Sequence, residues 1–263
     1  MAGDTYIERA QARVRAEQEA IDAKLDAYET FISRVRNVQA DQTPSSAAGI
    51  TPATGGTHLS TDATGTDRCR TVQTAFAETI RPHSVADTDG SESLLETIRE
   101  EFTDAVAVAL APTTETSFTP ELKQMVLAEA RSRSSEAAAL QKALNREGAQ
   151  LANAATAVDI ITAWIVEANE TPLIDLGFDA LKQRHETLAS HRDCCEDVAR
   201  GRQAFLRRTT NQGIDTGVRH QSLMPYLYQD FPVDHPVLAT VAKLNKTCQE
   251  RQRAVRDHLV RRV

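Results

Sequence analysis

The chain has 263 residues, of which 41% are hydrophobic, 25% charged and only 5% aromatic, with a formal net charge of −7. This composition is typical of a globular or coiled-coil protein with a core of Ala, Leu, Val and Ile, and it excludes a disordered chain. The negative balance favours solubility and argues against a chain devoted to nucleic acid or an anionic membrane.

Signals for export or membrane insertion are missing from the sequence. The N-terminus lacks the apolar core of a signal peptide. The most apolar run, residues 158–166, is far shorter than the roughly 20 residues that span a bilayer. Four cysteines without an export signal favour reduced thiols, so we expect a cytoplasmic protein with no membrane partner.

The first predicted element is a coiled-coil helix that occupies residues 1–40, with its helical part over about 5–40. Thr5 and Glu8 form a predicted capping box at its start. Apolar side chains recur every seven residues, at Ile7, Val14, Ile21, Tyr28 and Val35. A strict seven-residue repeat needs a partner helix, which belongs either to the same chain or to another one.

Residues 41–67 are rich in Pro, Gly, Ser and Thr, and we predict a flexible polar linker there. A helical bundle domain over 68–263 follows it. Its first elements are a short helix over about 67–80 and a second helix over about 92–110, each with one apolar face.

A long helix is predicted over about 120–170. Thr119 caps it and Pro120 occupies its first turn. Its apolar seam advances in steps of three and four residues and includes two charged positions, Arg133 and Glu147. About 50 residues at 1.5 Å each give a rod of roughly 75 Å, so we expect an elongated molecule. Gly148 is the expected position of any break.

Two more helices are predicted, over about 176–208 and about 235–262, separated by a polar linker over 209–222. The seam of the first runs from Phe178 through His191 and Cys195 to Arg202 and Phe205. The aromatic segment YLYQDFP, residues 226–232, precedes the last helix. We interpret it as a cover over one end of the bundle, with a docking surface as the alternative.

Cys69, His191, Cys195 and Cys248 are the candidates for a metal or redox site. Each lies on the apolar face of a predicted helix, and His191 is one turn from Cys195. Metal-binding spacings such as C-x-x-C are missing, so buried packing is the preferred interpretation. The sequence predicts no metal ligand and no cofactor, and it leaves open whether these four residues converge.

Arginines are concentrated in residues 200–208 and 251–263. Such clusters can bind phosphates, but cations at helix ends are also expected from the helix dipole, and aromatic residues for base stacking are scarce. No catalytic motif of a hydrolase, metalloprotease or dinucleotide-binding enzyme is present, so no catalytic residue is predicted.

Several segments resemble an uncharacterised haloarchaeal family of helical proteins of unknown function. They are RCRTVQTAFAETIRPH, FTPELKQMVLAEARSR, RHETLASHRDCCEDVARGRQAFL, YLYQDFPVDHPVLATVAKL and CQERQRAVRDHLVRRV. The resemblance implies a halophilic archaeal source and a cytoplasmic, coiled-coil-rich protein, with no catalytic residues to carry over. The excess of arginine over lysine, 24 to 6, agrees with such a source.

The sequence therefore predicts an all-α fold, an elongated antiparallel helical bundle with long coiled-coil helices. The leading functional hypothesis is a non-enzymatic structural or protein-interaction module, which self-associates or binds a protein partner through its helical seams. The alternatives are a nucleic-acid-associated or regulatory protein using the arginine clusters and, below it, a thiol and histidine metal or redox sensor.

Overall fold

The computed structural model describes residues 5–41, 65–84, 93–111, 117–212 and 220–261. Within these ranges every regular element is helical and no residue belongs to a β-strand, which confirms the all-α prediction. The α-helices are α1 (Tyr6–Asn37), α2 (Gly65–Thr79), α3 (Leu94–Glu101), α4 (Asp104–Leu110), α5 (Pro120–Asn169), α6 (Phe178–Gln212), α7 (His220–Tyr228) and α8 (Pro236–Val260). Short 3-10 turns follow α2, at Arg81–His83, and α5, at Leu173–Asp175.

The predicted caps are present. The backbone N–H of Thr5 donates to Glu8 Oε2 at 2.6 Å, and the N–H of Glu8 donates to Thr5 Oγ1 at 3.2 Å. At the start of α5 the Thr119 hydroxyl accepts a hydrogen bond from the N–H of Leu122 at 3.2 Å. These bonds satisfy backbone donors that the first helical turn leaves without partners.

Helix α5 is 50 residues long, close to the predicted 120–170, and it continues through Gly148, where any break was expected. The glycine instead faces α1 with ordinary contact distances. A Cβ atom at this position would lie 3.4 Å from Gln18 Nε2 and 3.7 Å from Val14 Cγ1. Packing against α1 thus stabilises the helical conformation at Gly148, although glycine has a weak helix propensity.

The single helix predicted over 92–110 is wrong, because it is interrupted at Phe102 and Thr103 to give α3 and α4. Thr103 is extended, and its hydroxyl accepts a hydrogen bond from the N–H of Val106, capping α4. The side chain of Phe102 is buried in an aromatic cluster, and its carbonyl accepts a hydrogen bond from Arg133 Nη2 at 3.0 Å. Capping and aromatic packing together outweigh helix continuation here.

The predicted linkers are shorter than expected at their described edges. Asp41, at the start of the predicted linker 41–67, accepts a hydrogen bond from the N–H of Phe118 and pairs with Arg68, and residues 65–67 already belong to α2. Likewise α6 continues to Gln212, and α7 begins at His220 within the predicted linker 209–222. Residues 42–64 and 213–219 lie outside the described residues.

The chain divides into two compact units, one of Met1–Glu19 with Ala139–Val263 and the other of Ala20–Ala138. This division differs from the predicted domains 1–40 and 68–263. Helices α1 and α5 each contribute to both units, and all five heptad positions of α1 are buried within the chain. The first helix is therefore part of the packed units, because its apolar stripe is covered in cis.

The unit of Ala20–Ala138 is built around three phenylalanines from different helices. The ring centroid of Phe31 is 6.0 Å from that of Phe76 and 5.6 Å from that of Phe102, and the last two are 5.4 Å apart. Beside them the Tyr28 hydroxyl and Lys24 Nζ each donate to the Glu101 carboxylate at 2.9 Å. Aromatic residues are few, but this unit concentrates them in its core.

In the other unit, α6 packs antiparallel to both α5 and α8. Arg192 of α6 donates to Asn245 Oδ1 at 3.2 Å and to Gln252 Oε1 at 3.0 Å, while Gln252 Nε2 donates to the His185 carbonyl at 3.3 Å. The N-terminal half of α6 thus faces the C-terminal half of α8. The seam of α6 is largely buried as predicted, except that Phe178 at its first turn is 51% exposed.

Candidate functional site

The thiol and imidazole candidates are divided between the two compact units. Cys69 lies in the unit of Ala20–Ala138, whereas His191, Cys195 and Cys248 lie in the other unit. Among the described residues no group of three or more His, Cys, Asp or Glu side chains is placed to hold a metal ion. Cys69, Cys195 and Cys248 are buried, whereas His191 is partly buried.

Their electrostatics agree with buried, unreactive groups. Burial, followed by the nearby Cys248, raises the pKa of Cys195 to about 11, and burial also raises the pKa of Cys248. A thiol with a raised pKa is a poor nucleophile and a poor metal ligand near neutral pH. Burial lowers the pKa of His191, whose ring packs edge-on against Trp164 with the centroids 4.9 Å apart.

The arginine clusters lose members to internal contacts. Arg202 is only 3% exposed and pairs with Glu147, and Arg200 pairs with Asp197 at 2.6 Å. Arg251 donates to Asn169 Oδ1 across to the end of α5. Because Arg200 and Arg202 are each paired with a carboxylate, the cluster at 200–208 offers fewer cations to a phosphate backbone than the sequence indicates.

The aromatic segment 226–232 packs against the first half of α1. Tyr228 is buried, and its ring lies 5.3 Å from that of Phe231, over which the guanidinium of Arg9 sits at 5.0 Å. The hydroxyl of Tyr226 donates to Glu17 Oε2 at 3.0 Å. The segment thus covers α1, and the sequence did not predict that residues 220–228 form the helix α7.

The strongest polar constellation is a buried network of Glu147 from α5, Arg202 from α6 and Tyr228 from α7. Arg202 Nη1 and Nη2 donate to the two carboxylate oxygens of Glu147 at 2.8 and 2.7 Å. The Tyr228 hydroxyl donates to Oε1 of the same carboxylate at 2.5 Å. The exposed fractions are 0% for Glu147, 3% for Arg202 and 2% for Tyr228.

Packing completes this network. Arg202 also donates to the sulfur of Met224 at 3.5 Å, and its guanidinium lies 5.3 Å from the ring centroid of Phe205. Burial and the adjacent Glu147 carboxylate raise the pKa of Tyr228 above its ordinary value. A carboxylate that accepts three internal hydrogen bonds and has no exposed surface is a structural anchor, because a substrate cannot reach it.

The sequence carried a signal for this network. Glu147 and Arg202 each interrupt an otherwise apolar seam at a position that must face the core. Charged residues are almost never buried unless they are paired. Two opposite charges on the seams of neighbouring helices therefore indicate a buried ion pair, an inference that we did not draw from the sequence.

The same unit contains a small cavity. Its volume is about 210 Å³, and it is bounded by the end of α5, the turn after it, the start of α6 and the end of α8. Trp164, Leu173, Leu188 and Val255 supply apolar walls, and Arg184 and Arg251 supply charge.

The unit of Ala20–Ala138 has a larger, open groove of about 630 Å³ between α1 and α2. An ion pair of 2.5 Å joins two of its lining residues, Arg34 and Glu78, and both side chains are about half exposed. An exposed, internally neutralised pair is typical of a solvated surface.

Helix α5 carries a long apolar stretch that is only partly buried. Helix α5 contains an 18-residue window with a mean hydropathy of 1.3, of which 28% is buried, and it is long and apolar enough to cross a membrane by length and composition alone. Ile160 and Val166 near its end are 61% and 60% exposed. The inward side of the same segment packs through Leu151, Ala154, Val158, Ile161 and Ile165.

These observations define a class of protein, an all-α bundle of long helices stabilised by a buried ion network. A family model described as a domain of unknown function, DUF7260, matches residues 5–252, which is nearly the whole chain. The chain belongs to this family, in agreement with the predicted uncharacterised family. No curated protein and no solved structure matches the chain.

Proposed function

We propose that the protein is a non-enzymatic structural or protein-interaction module that associates through exposed apolar surface on α5. The observation that supports this proposal is the apolar window of α5, of which only 28% is buried. Apolar surface that a fold leaves open to solvent is a common mark of a protein-binding site.

The location of this surface changes the expected mode of association. The heptad positions of α1 and most seam positions of α5, α6 and α8 are buried within the chain. They are satisfied in cis, so a partner would have to bind elsewhere. Ile160 and Val166 of α5 are exposed and remain available to a partner.

The polar chemistry of the unit supports a role without catalysis. The polar groups of Glu147, Arg202 and Tyr228 hydrogen-bond to one another. The raised pKa of Cys195 makes its thiol a weak nucleophile. For nucleic-acid association we find less support, because Arg200 and Arg202 are each paired with a carboxylate. A thiol-based metal sensor likewise has less support, because among the described residues no group of three or more His, Cys, Asp or Glu side chains is placed to hold a metal ion.

We place the protein in the cytoplasm as part of the same proposal. Cys195 and Cys248 are buried as thiols, as expected of a reducing compartment. A membrane location is the alternative, since α5 is long and apolar enough to span a bilayer by length and composition alone. Cell fractionation separates them, because the proposal expects the chain in the supernatant after high-speed centrifugation.

Light scattering coupled to size exclusion tests association directly. We expect the wild-type chain to form a dimer or to retain a protein partner, and the double variant Ile160→Gln/Val166→Gln to lose that association. The matched control is Thr156→Gln/Ala163→Gln, which adds the same polar groups at exposed positions of the same helix without removing a large apolar side chain.

The proposal would be contradicted if the chain were a monomer at every concentration and if wild type and Ile160→Gln/Val166→Gln retained the same set of proteins. Equal loss of association in the control variant would also contradict it, since the effect would then not depend on the apolar side chains.

A further inference from the structure

The cavity bounded by Trp164, Arg184 and Arg251 has the composition of a binding site for a small amphipathic anion. Its walls are mainly apolar, formed by side chains such as Leu173, Leu188 and Val255. Of the described residues that line it, none is acidic. An apolar cleft with a few convergent polar groups is the usual form of a small-molecule site.

Its two arginines lack the partner that such groups normally have. Arg184 donates to the Thr171 carbonyl at 3.2 Å, and Arg251 donates to the Asn169 side-chain oxygen, both uncharged acceptors. Within the described ranges neither guanidinium has a carboxylate within 4.0 Å. By contrast, Arg202 of the same unit is neutralised by a bidentate pair with Glu147.

One of the residues that line the cavity carries an unsatisfied donor. The Nε atom of Arg251 is buried and has no hydrogen-bond partner. A buried donor without an acceptor is costly, and native proteins rarely keep one unless a ligand or an ordered water satisfies it. A carboxylate suits this position, because its two oxygens match the parallel N–H groups of a guanidinium.

We infer that this cavity binds a small organic carboxylate with a short apolar tail. The carboxylate lies between Arg184 and Arg251, and the tail lies against Trp164 and Leu188. The volume sets the length of the tail, since 210 Å³ equals the liquid volume of about seven water molecules. Hexanoate, with about eight non-hydrogen atoms, is of the right size.

Trp164 makes the inference easy to test, because it is the only tryptophan of the chain. Its fluorescence is measured in the full-length protein during titration with hexanoate, and calorimetry is run in parallel to detect binding that leaves the fluorescence unchanged. We expect a saturable signal. Hexanamide, which has the same tail without the charge, and inorganic phosphate, which has the charge without the tail, should each bind at least tenfold more weakly.

Variants locate the binding. We expect Arg184→Gln and Arg251→Gln each to weaken hexanoate binding at least tenfold. Arg256→Gln, an exposed arginine of the same helix as Arg251, should leave it unchanged. Should the two cavity variants lose their helical dichroism, Ala254→Met supplies the test instead. Ala254 lines the cavity but is exposed, so the larger side chain obstructs the ligand without disturbing the core.

The inference is overturned by any of three results. The first is that hexanoate up to about 10 mM produces neither a fluorescence change nor heat. The second is that hexanamide or phosphate binds as tightly as hexanoate. The third is that the folded cavity variants bind hexanoate as tightly as the wild type. Association through Ile160 and Val166 is measured separately, so failure here does not bear on the proposed interaction surface.

Discussion

Glu147→Gln is the most informative single change, because it removes the charge from the centre of the buried network and keeps the shape. In the wild type both carboxylate oxygens accept from Arg202, at 2.8 and 2.7 Å, and Oε1 also accepts from Tyr228. The amide places an NH₂ group where one oxygen was. If the NH₂ replaces Oε2, it faces Arg202 Nη1. If it replaces Oε1, it faces both Arg202 Nη2 and the Tyr228 hydroxyl.

The expected cost follows from the burial of Arg202. With an exposed fraction of 3% its guanidinium cannot recruit water to replace the lost carboxylate. Removing one partner of a buried ion pair costs about 3–5 kcal/mol. Set against a typical total of about 5–15 kcal/mol, this is a large part of the free energy of unfolding.

Urea denaturation followed by Trp164 fluorescence measures this loss, since Trp164 lies in the same compact unit as Glu147. Asp197→Asn is the control, because Arg200 and Asp197 form a pair in which both side chains are 70% exposed. Removing an exposed pair should cost less than about 1 kcal/mol. Glu147→Leu combined with Arg202→Met should recover most of the loss, as neither charge is then left alone.

The reasoning is refuted if Glu147→Gln costs no more than Asp197→Asn. It is also refuted if the apolar double variant is less stable than Glu147→Gln alone, because burial of an unpaired charge would then not be the cause of the loss.

Three further results are expected. Gly148→Ala should raise the free energy of unfolding by up to about 1 kcal/mol in urea denaturation, because the added methyl group meets only ordinary contact distances in a helix interior; a loss of stability would show that α1 cannot accommodate it. Burial lowers the pKa of His191 below 6.5, so the unfolded chain binds a proton where the folded chain does not. Stability should therefore fall as the pH decreases from about 6.5 towards the lower folded-state pKa, and His191→Phe should flatten that part of the curve relative to wild type. At about pH 8 an aromatic disulfide reagent should label one thiol quickly, that of half-buried Cys194, and the others only after unfolding, because Cys195 is buried with a pKa of about 11. A fast-reacting thiol that persists in Cys194→Ser would contradict this assignment.

Local patterns in the sequence were sufficient for the long helices. The seven-residue spacing from Ile7 to Val35 and the box of Thr5 with Glu8 depend only on neighbours along the chain, and both are present in the structure. Helix periodicity and capping are properties of a single segment, which is why one sequence reveals them.

Contacts between distant segments account for what sequence reasoning missed. The interruption at Phe102 depends on a ring cluster with Phe31 and Phe76, which are many residues away. Similarly, the partner of Glu147 is known only once α6 and α7 are placed beside α5. A seam position identifies a buried charge, but the pairing in three dimensions decides which residue neutralises it.

The burial of the α1 repeat also changes what a heptad pattern implies for this chain. A seven-residue repeat requires an apolar partner surface, and here the chain itself supplies that surface at every one of the five positions. The repeat is therefore explained without a second molecule and cannot count as support for self-association. What remains is apolar surface that the fold leaves uncovered, chiefly Ile160 and Val166 on α5. Exposed side chains off the seams, and not the periodicity that predicted the fold, therefore provide the physical basis for expecting a partner.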